Sequence, residues 1–142
     1  MIDPVAILVE FLSTSAPTLA SALQAASPPA GWDVRDHIHG GSDLPTGWRV
    51  DQQGPVVMVD LRGGQFPLED MPLIDASMQL QVFAYEDELA RSISNAMADD
   101  LNDRGWGGFT FARLNTPIQV IPDRSTEWRI GINYYTVRVR NI

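Results

Sequence analysis

The chain has 142 residues, 44% of them hydrophobic and 20% charged, an ordinary balance for one folded domain of the commonest size. A formal net charge of −8 and a pI near 4.5 give an average surface that repels phosphate, which excludes charge-driven binding to nucleic acid or anionic membranes. The lack of cysteine excludes disulfides, thiolate catalysis and cysteine-ligated zinc.

The opening Met1-Ile2-Asp3-Pro4 lacks the basic and apolar regions of a signal peptide, and no run approaches the roughly 20 apolar residues of a membrane span. The expected setting is a cytoplasm, or a particle built there, with no membrane partner. Asp3 followed by Pro4 reads as an N-cap with proline at the first helical position, where its missing N–H costs nothing. Val5, Leu8, Val9 and Leu12 then form an apolar stripe at helical spacing, widened by Ile7 and Phe11. Ser13 to Ser15 interrupts this helix, and Ala16-Pro17 opens a second short one through Leu19, Ala22 and Leu23 that ends before Ser27-Pro28-Pro29.

Residues 28–54 are rich in Pro, Gly, Asp and Ser and carry Trp32, His37, His39 and Trp48. A loop of that length in a small domain is unusual unless it binds a neighbour or folds over an edge, so it is expected to be an interaction loop holding one short strand. Val56 to Leu61 is a β-branched, nearly continuous apolar run that predicts a strand buried on both faces. A second loop runs over residues 65–72.

Ile74, Ala76, Met78, Leu80, Val82 and Ala84 alternate with polar residues, predicting a strand with one core face and one polar face that turns aromatic at its end. Glu86-Asp87-Glu88 supplies the negative charge a helix N-terminus favours, and Leu89, Ile93, Ala96, Met97 and Leu101 continue as an amphipathic helix toward Gly105. After a turn at 105–108 come short strands at 109–112 and 118–121, another turn at 122–125, and a long closing strand over 128–139. The apolar phase of that last strand slips by one residue at Tyr134-Tyr135, which a bulge or a change of buried face would explain. The element order shows no βαβ alternation and no repeat. It predicts one α+β domain over residues 1–142, with a mostly antiparallel sheet packed against two main helices.

A search for chemistry yields little. Gly63-Gly64 and Gly105-Trp106-Gly107-Gly108 lack the lysine and the strand-then-helix setting of a phosphate loop and read as turns. His37 and His39, with Asp36 or Asp43, are ligand types for zinc, but no further ligand is set by spacing and loop packing is the preferred reading. Neither a metal nor another cofactor is expected. The carboxylates at Glu69-Asp70, Glu86-Asp87-Glu88 and Asp99-Asp100 fit capping or solvated roles better than paired acid–base work, which needs one carboxyl in an apolar pocket. Trp32, Trp48, Trp106 and Trp128 read as core or interface anchors rather than base-stacking platforms, since basic residues are sparse. Arg129, Arg138 and Arg140 gather on the final strand, placed to meet an acidic patch of a neighbouring copy or to form a solvated edge. The candidate interface residues are therefore Trp32, Trp48, Arg129, Tyr135, Arg138 and Arg140, in an assembly protein rather than an enzyme, with no catalytic residue.

The Asp3-Pro4-Val5-Ala6-Ile7-Leu8 helix, the Ala16-Pro17-Thr18-Leu19-Ala20 segment, the long loop leading to Pro55-Val56-Val57, the Leu80-Gln81-Val82-Phe83-Ala84 strand with a helix behind it, and the terminal hydrophobic strand span nearly the whole chain. In this arrangement the chain resembles the tail terminator, or tail completion, proteins of long-tailed bacteriophages and phage-derived gene-transfer particles. The resemblance implies a ring of copies, usually a homohexamer, in the tail-neck region of a virion and in the host cytoplasm during assembly. Such a ring caps the tail tube, ends its polymerisation and meets a head-completion or neck protein, so the implied partners are the chain itself, the tail-tube protein and that neck protein. DNA would pass through without specific binding, which a net-negative wall favours. The extended, tryptophan-rich 28–54 loop is a departure from the family's pattern. The alternatives are another neck or tail component, such as a head-closure protein or tube subunit, and a small-molecule-binding regulatory α+β domain.

Overall fold

The computed structural model describes residues 3–27, 31–65, 73–102, 104–113, 117–123 and 128–140. Asp3 accepts from the Val5 and Ala6 amides at 3.0 and 3.3 Å, so α1, Pro4–Thr14, begins where Asp3-Pro4 places it. Its buried stripe is Pro4, Leu8, Phe11 and Leu12. α2, Pro17–Ala25, follows with Leu19 and Leu23 inward. Then come a single 3-10 turn, Val34–His37, strand β1, Ile38–Gly40, and the short helix α3, Val50–Gln53. β2, Val56–Gln65, and β3, Leu73–Ala84, precede α4, Asp87–Leu101. The chain closes with β4, Arg104–Trp106, β5, Phe109–Arg113, β6, Gln119–Pro122, and β7, Arg129–Arg140.

Among the described residues these strands form one seven-stranded sheet in the order β1-β2-β3-β7-β5-β4, with β6 also paired to β7. β1 lies parallel to β2, and the other pairings are antiparallel. The fold is α+β, as the element order leads one to expect. The expected loop at 65–72 and turn at 122–125 fall largely outside the described residues. The turn expected over 105–108 is tighter than that: Gly107 and Gly108, with φ of 56° and 83°, make a two-residue hairpin between β4 and β5.

β7 is the organising strand. β3 flanks it along one side, and β5 and β6 lie end to end along the other. The β3–β7 register runs unbroken from Leu73↔Arg140 to Ala84↔Arg129, so the phase slip at Tyr134-Tyr135 is a change of buried face and not a bulge. Tyr135 and Val137 face the helices and are 0% exposed, whereas Trp128 and Ile130 pack on the opposite side. The cause is α4. A Cβ on Gly131 would lie 2.7 Å from Ser94 Oγ and 3.3 Å from the Ala90 carbonyl oxygen, so this stretch of β7 has no room for an apolar side chain toward the helix.

The main core lies between the sheet and α1, α2 and α4, built from Leu8, Leu12, Leu19, Val57, Leu80, Ile93 and their neighbours. Burying one such side chain contributes about 1.5–3 kcal/mol. The sheet curls around α1. Gly40 at one edge approaches so closely that its Cβ would lie 2.8 Å from Val5 Cγ1. Toward the other edge, Phe11 meets Phe111 at 4.7 Å and Trp106 at 5.6 Å.

The 28–54 segment is more ordered than a free interaction loop. Where described, it supplies β1 as an edge strand, then folds α3 and Trp48 over the outer face of the sheet, where Val50, Val56, Met58 and Phe83 form a second cluster. This cover explains why Val56 to Val59 are buried on both faces. On the polar face of β3, Phe83 and Gln79 are only 7% and 6% exposed. Among the described residues no single helix is long and apolar enough to cross a membrane, and the α1–α2 pair is bent by 70°.

Candidate assembly surfaces

The outer side of the β1 edge carries an aromatic cleft of about 430 Å³, lined by Trp32, Asp36, His37, His39, Pro45 and Trp48 among others. His37 is its keystone. The ring is buried, donates from Nδ1 to the Pro55 carbonyl at 2.7 Å, stacks on Trp32 at 6.0 Å and meets Trp48 edge-on at 5.1 Å. His39 donates instead from Nε2 to the Asp36 carbonyl at 2.6 Å and reaches Trp48 at 6.4 Å. Trp48 is pinned in turn by its indole N–H, which donates to the Gly54 carbonyl at 3.0 Å. The two imidazoles are thus held through different nitrogens as aromatic packing elements. Among the described residues no three His, Cys, Asp or Glu side chains converge as a metal set.

Charged groups next in sequence to the cleft's lining residues are paired within the chain. Arg35 is taken up by Glu10, with Nη1 at 3.2 Å from Oε2, and Arg49 by Asp51 at 2.9 Å. Asp36 and Asp43 have no such cation among the described residues. The hydrogen bond from Arg35, then its charge, holds the Glu10 carboxyl below its ordinary range, and Arg49 does the same to Asp51. Both shifts run opposite to the raised value a general acid needs.

On the outer face further along the strands, a bulge between Leu61 and Gly63 interrupts the β2–β3 register. Arg62 donates from Nε to Gln79 Oε1 at 2.6 Å and also from Nη2, and Gln79 Nε2 donates to the Tyr134 hydroxyl at 3.3 Å. Tyr85 at 64% and Ile121 at 42% are the large apolar side chains most open to solvent among the described residues.

The candidate interface residues separate. Trp32 and Trp48 meet across His37 in the cleft, each half-buried. Arg138 is exposed on β7. Arg140 stands in β7 opposite Leu73, with its side chain outside the described set. Two others are engaged within the chain. Tyr135 is 0% exposed within the core, because the change of buried face turns it toward the helices. Arg129 is used within the chain: its Nε lies 2.6 Å from Asp87 Oδ1 in the first turn of α4. The sequence reading missed His37 as the centre of the cleft. The signal was its place between two tryptophans in a stretch too long for an open loop of a small domain.

Neither a protein-family model nor a curated protein matches the sequence. The fold does have a counterpart. A chain from a structure titled "Virion of native gene transfer agent (GTA) particle" superposes with a TM-score of 0.56 at 12% identity, covering 93% of this chain and 91% of its own.

Proposed function

We propose that this chain is a structural virion protein that forms a ring on the end of a tail tube, ends its polymerisation and offers the surface on which head and tail join. The observation that carries this reading is the fold likeness to a gene transfer agent virion chain, which extends over 93% of this chain. The resemblance of the Asp3-Pro4 helix, the Leu80 to Ala84 strand and the terminal strand to tail terminators supports the finer role. The role is mechanical, with the tube protein and a neck protein as partners and DNA passing a net-negative wall to which it does not adhere. No cofactor or catalytic group enters it.

The test is light scattering on the purified chain, followed by electron microscopy of mixtures with its cognate tube protein. A closed ring, a homohexamer in the family's usual form, that shortens or halts tube growth is the expected result. A monomer at all concentrations that binds a metabolite in the cleft would overturn the reading in favour of a ligand-binding domain. A ring that leaves tube growth untouched would assign it to another position in the neck.

A further inference from the structure

The cleft beside β1 is built so that the donors of its rings are spent inside the chain. His37 gives its Nδ1–H to the Pro55 carbonyl, His39 its Nε2–H to the Asp36 carbonyl and Trp48 its indole N–H to the Gly54 carbonyl. The indole nitrogen of Trp32 is shut away from solvent and offers the cleft no donor either. A carbonyl can only accept. Each imidazole in its neutral form therefore keeps its other nitrogen, Nε2 of His37 and Nδ1 of His39, as an acceptor with no partner among the described residues. His37 is only 4% exposed, so its ring is fixed by packing rather than free to turn.

Charge points the same way. Asp36 is exposed and forms no ion pair among the described residues, and no described residue lining the cleft is an arginine or a lysine. Apart from the exposed amides of Gln52 and Gln53, the cleft thus presents aromatic rings, acceptor nitrogens and a carboxylate. Such a wall suits a ligand that brings both a positive charge and N–H donors. Indole faces attract cations, a carboxylate pairs with them, and a space of about 430 Å³ admits a guanidinium or ammonium group together with its alkyl stem. A phosphate or carboxylate ligand would instead meet the charge of Asp36 with no cation in the lining to offset it.

We propose that the cleft bounded by Trp32, His37 and Trp48 binds an alkylguanidinium or alkylammonium cation, with Asp36 pairing its charge. The cation comes from a free polyamine or from a basic side chain of another protein. This site goes beyond the ring proposed above and does not depend on it.

The test is a nuclear magnetic resonance titration of the full chain, read at the indole N–H signals of Trp32 and Trp48. n-Butylguanidinium should shift both signals saturably, and n-butylurea, which has the same shape without the charge, should not do so at the same concentrations. Because the whole chain carries a net charge of −8, general attraction of cations needs its own control. Asp36→Asn and Asp43→Asn each remove one exposed carboxylate, and Asp43 is not among the described residues lining the cleft. Asp36→Asn should weaken binding about tenfold, as loss of a charge-assisted hydrogen bond does, whereas Asp43→Asn should change it by about twofold at most. If n-butylurea shifts the signals equally, or Asp36→Asn binds like the parent, the cleft is not a cation site and the proposal fails. Spermidine and a blocked peptide with a single central arginine separate the two sources. Tighter binding of spermidine assigns the site to a free polyamine, tighter binding of the peptide assigns it to a protein side chain, and silence toward both overturns the proposal. A chain that forms a ring yet fails these titrations loses this site and not the ring.

Discussion

The amide of Leu19 donates to the carboxylate of Asp100 at 2.8 Å, across a sequence separation of 81. α2 starts on Ala16, which offers no side-chain acceptor, and α4 supplies the missing cap from its penultimate residue, only 3% exposed. The carboxylate also sits at the positive end of the α2 dipole. Asp100→Ala should therefore leave a buried N–H unsatisfied and lower stability by about 1–3 kcal/mol. Asp100→Asn keeps an acceptor oxygen and should retain more of it. Chemical denaturation of the two variants checks the ranking, and equal losses would show that capping is not what Asp100 contributes.

Gly131 offers a second test of the α4–β7 seam. A methyl group there would lie 2.7 Å from Ser94 Oγ and 3.3 Å from a backbone oxygen. Gly131→Ala should cost about 1–3 kcal/mol through overpacking. Adding Ser94→Ala removes the nearer clash and should restore part of the loss, whereas the Ala90 carbonyl cannot give way. A double-mutant cycle by thermal or urea unfolding reads the coupling.

Leu80 is 0% exposed at the centre of β3. Leu80→Asp places an unpaired charge in the main core and should abolish soluble folding, as judged by expression and far-ultraviolet circular dichroism.

What was legible in the sequence was what local physics dictates. Asp3-Pro4 could start a helix without tertiary help, and the strict alternation from Ala76 to Ala84 could satisfy only a strand. The phase slip in β7 was visible too, but its cause was not. Choosing between bulge and face change depends on how close α4 comes to Gly131, and that distance is set by Ala90 and Ser94, small residues far away in the chain. The same non-locality hid the pairing of Arg129 with Asp87 and the burial of Tyr135. For the cleft, the sequence displayed its parts, Trp32, His37, His39 and Trp48. It did not display the Pro55 carbonyl that turns His37 inward and draws the tryptophans together.

The Glu10–Arg35 pair ties α1 to the 3-10 turn that leads into β1. Because the hydrogen bond and charge of Arg35 lower the Glu10 carboxyl below its ordinary value of 4.5, the folded state holds the ionised form more firmly than the unfolded state does. Its contribution is fully present above that value and is lost as pH falls through the lowered one. Parent and Glu10→Gln should thus differ in stability at neutral pH and converge as acidification protonates Glu10, and the difference should shrink in high salt since both groups are solvent-exposed. Urea unfolding across pH 2.5 to 7 checks the sign, and a gap that widens on acidification would contradict it.

Trp48 carries two roles that one substitution would confound. It lines the cleft, and it also packs on the outer cluster of Val50, Val56, Met58 and Phe83 while its indole N–H holds the Gly54 carbonyl. Trp48→Ala removes a large ring and a hydrogen bond from a half-buried site, so it should lower stability by about 2–4 kcal/mol as well as weaken any association through the cleft. Trp32 packs against the main core and stacks on His37 at 6.0 Å, but its indole N–H, unlike that of Trp48, makes no hydrogen bond among the described residues. Trp32→Ala should therefore cost less fold stability than Trp48→Ala. Tryptophan that anchors an interface typically accounts for about 2 kcal/mol or more of binding, so Trp32→Ala should weaken self-association by roughly that amount at a protein concentration where unfolding is negligible. Measuring unfolding and association on both variants separates the roles. If the losses in association merely track the losses in stability, the rings hold up the fold and nothing docks on them; if Trp32→Ala impairs association out of proportion to its stability, the cleft is a contact surface.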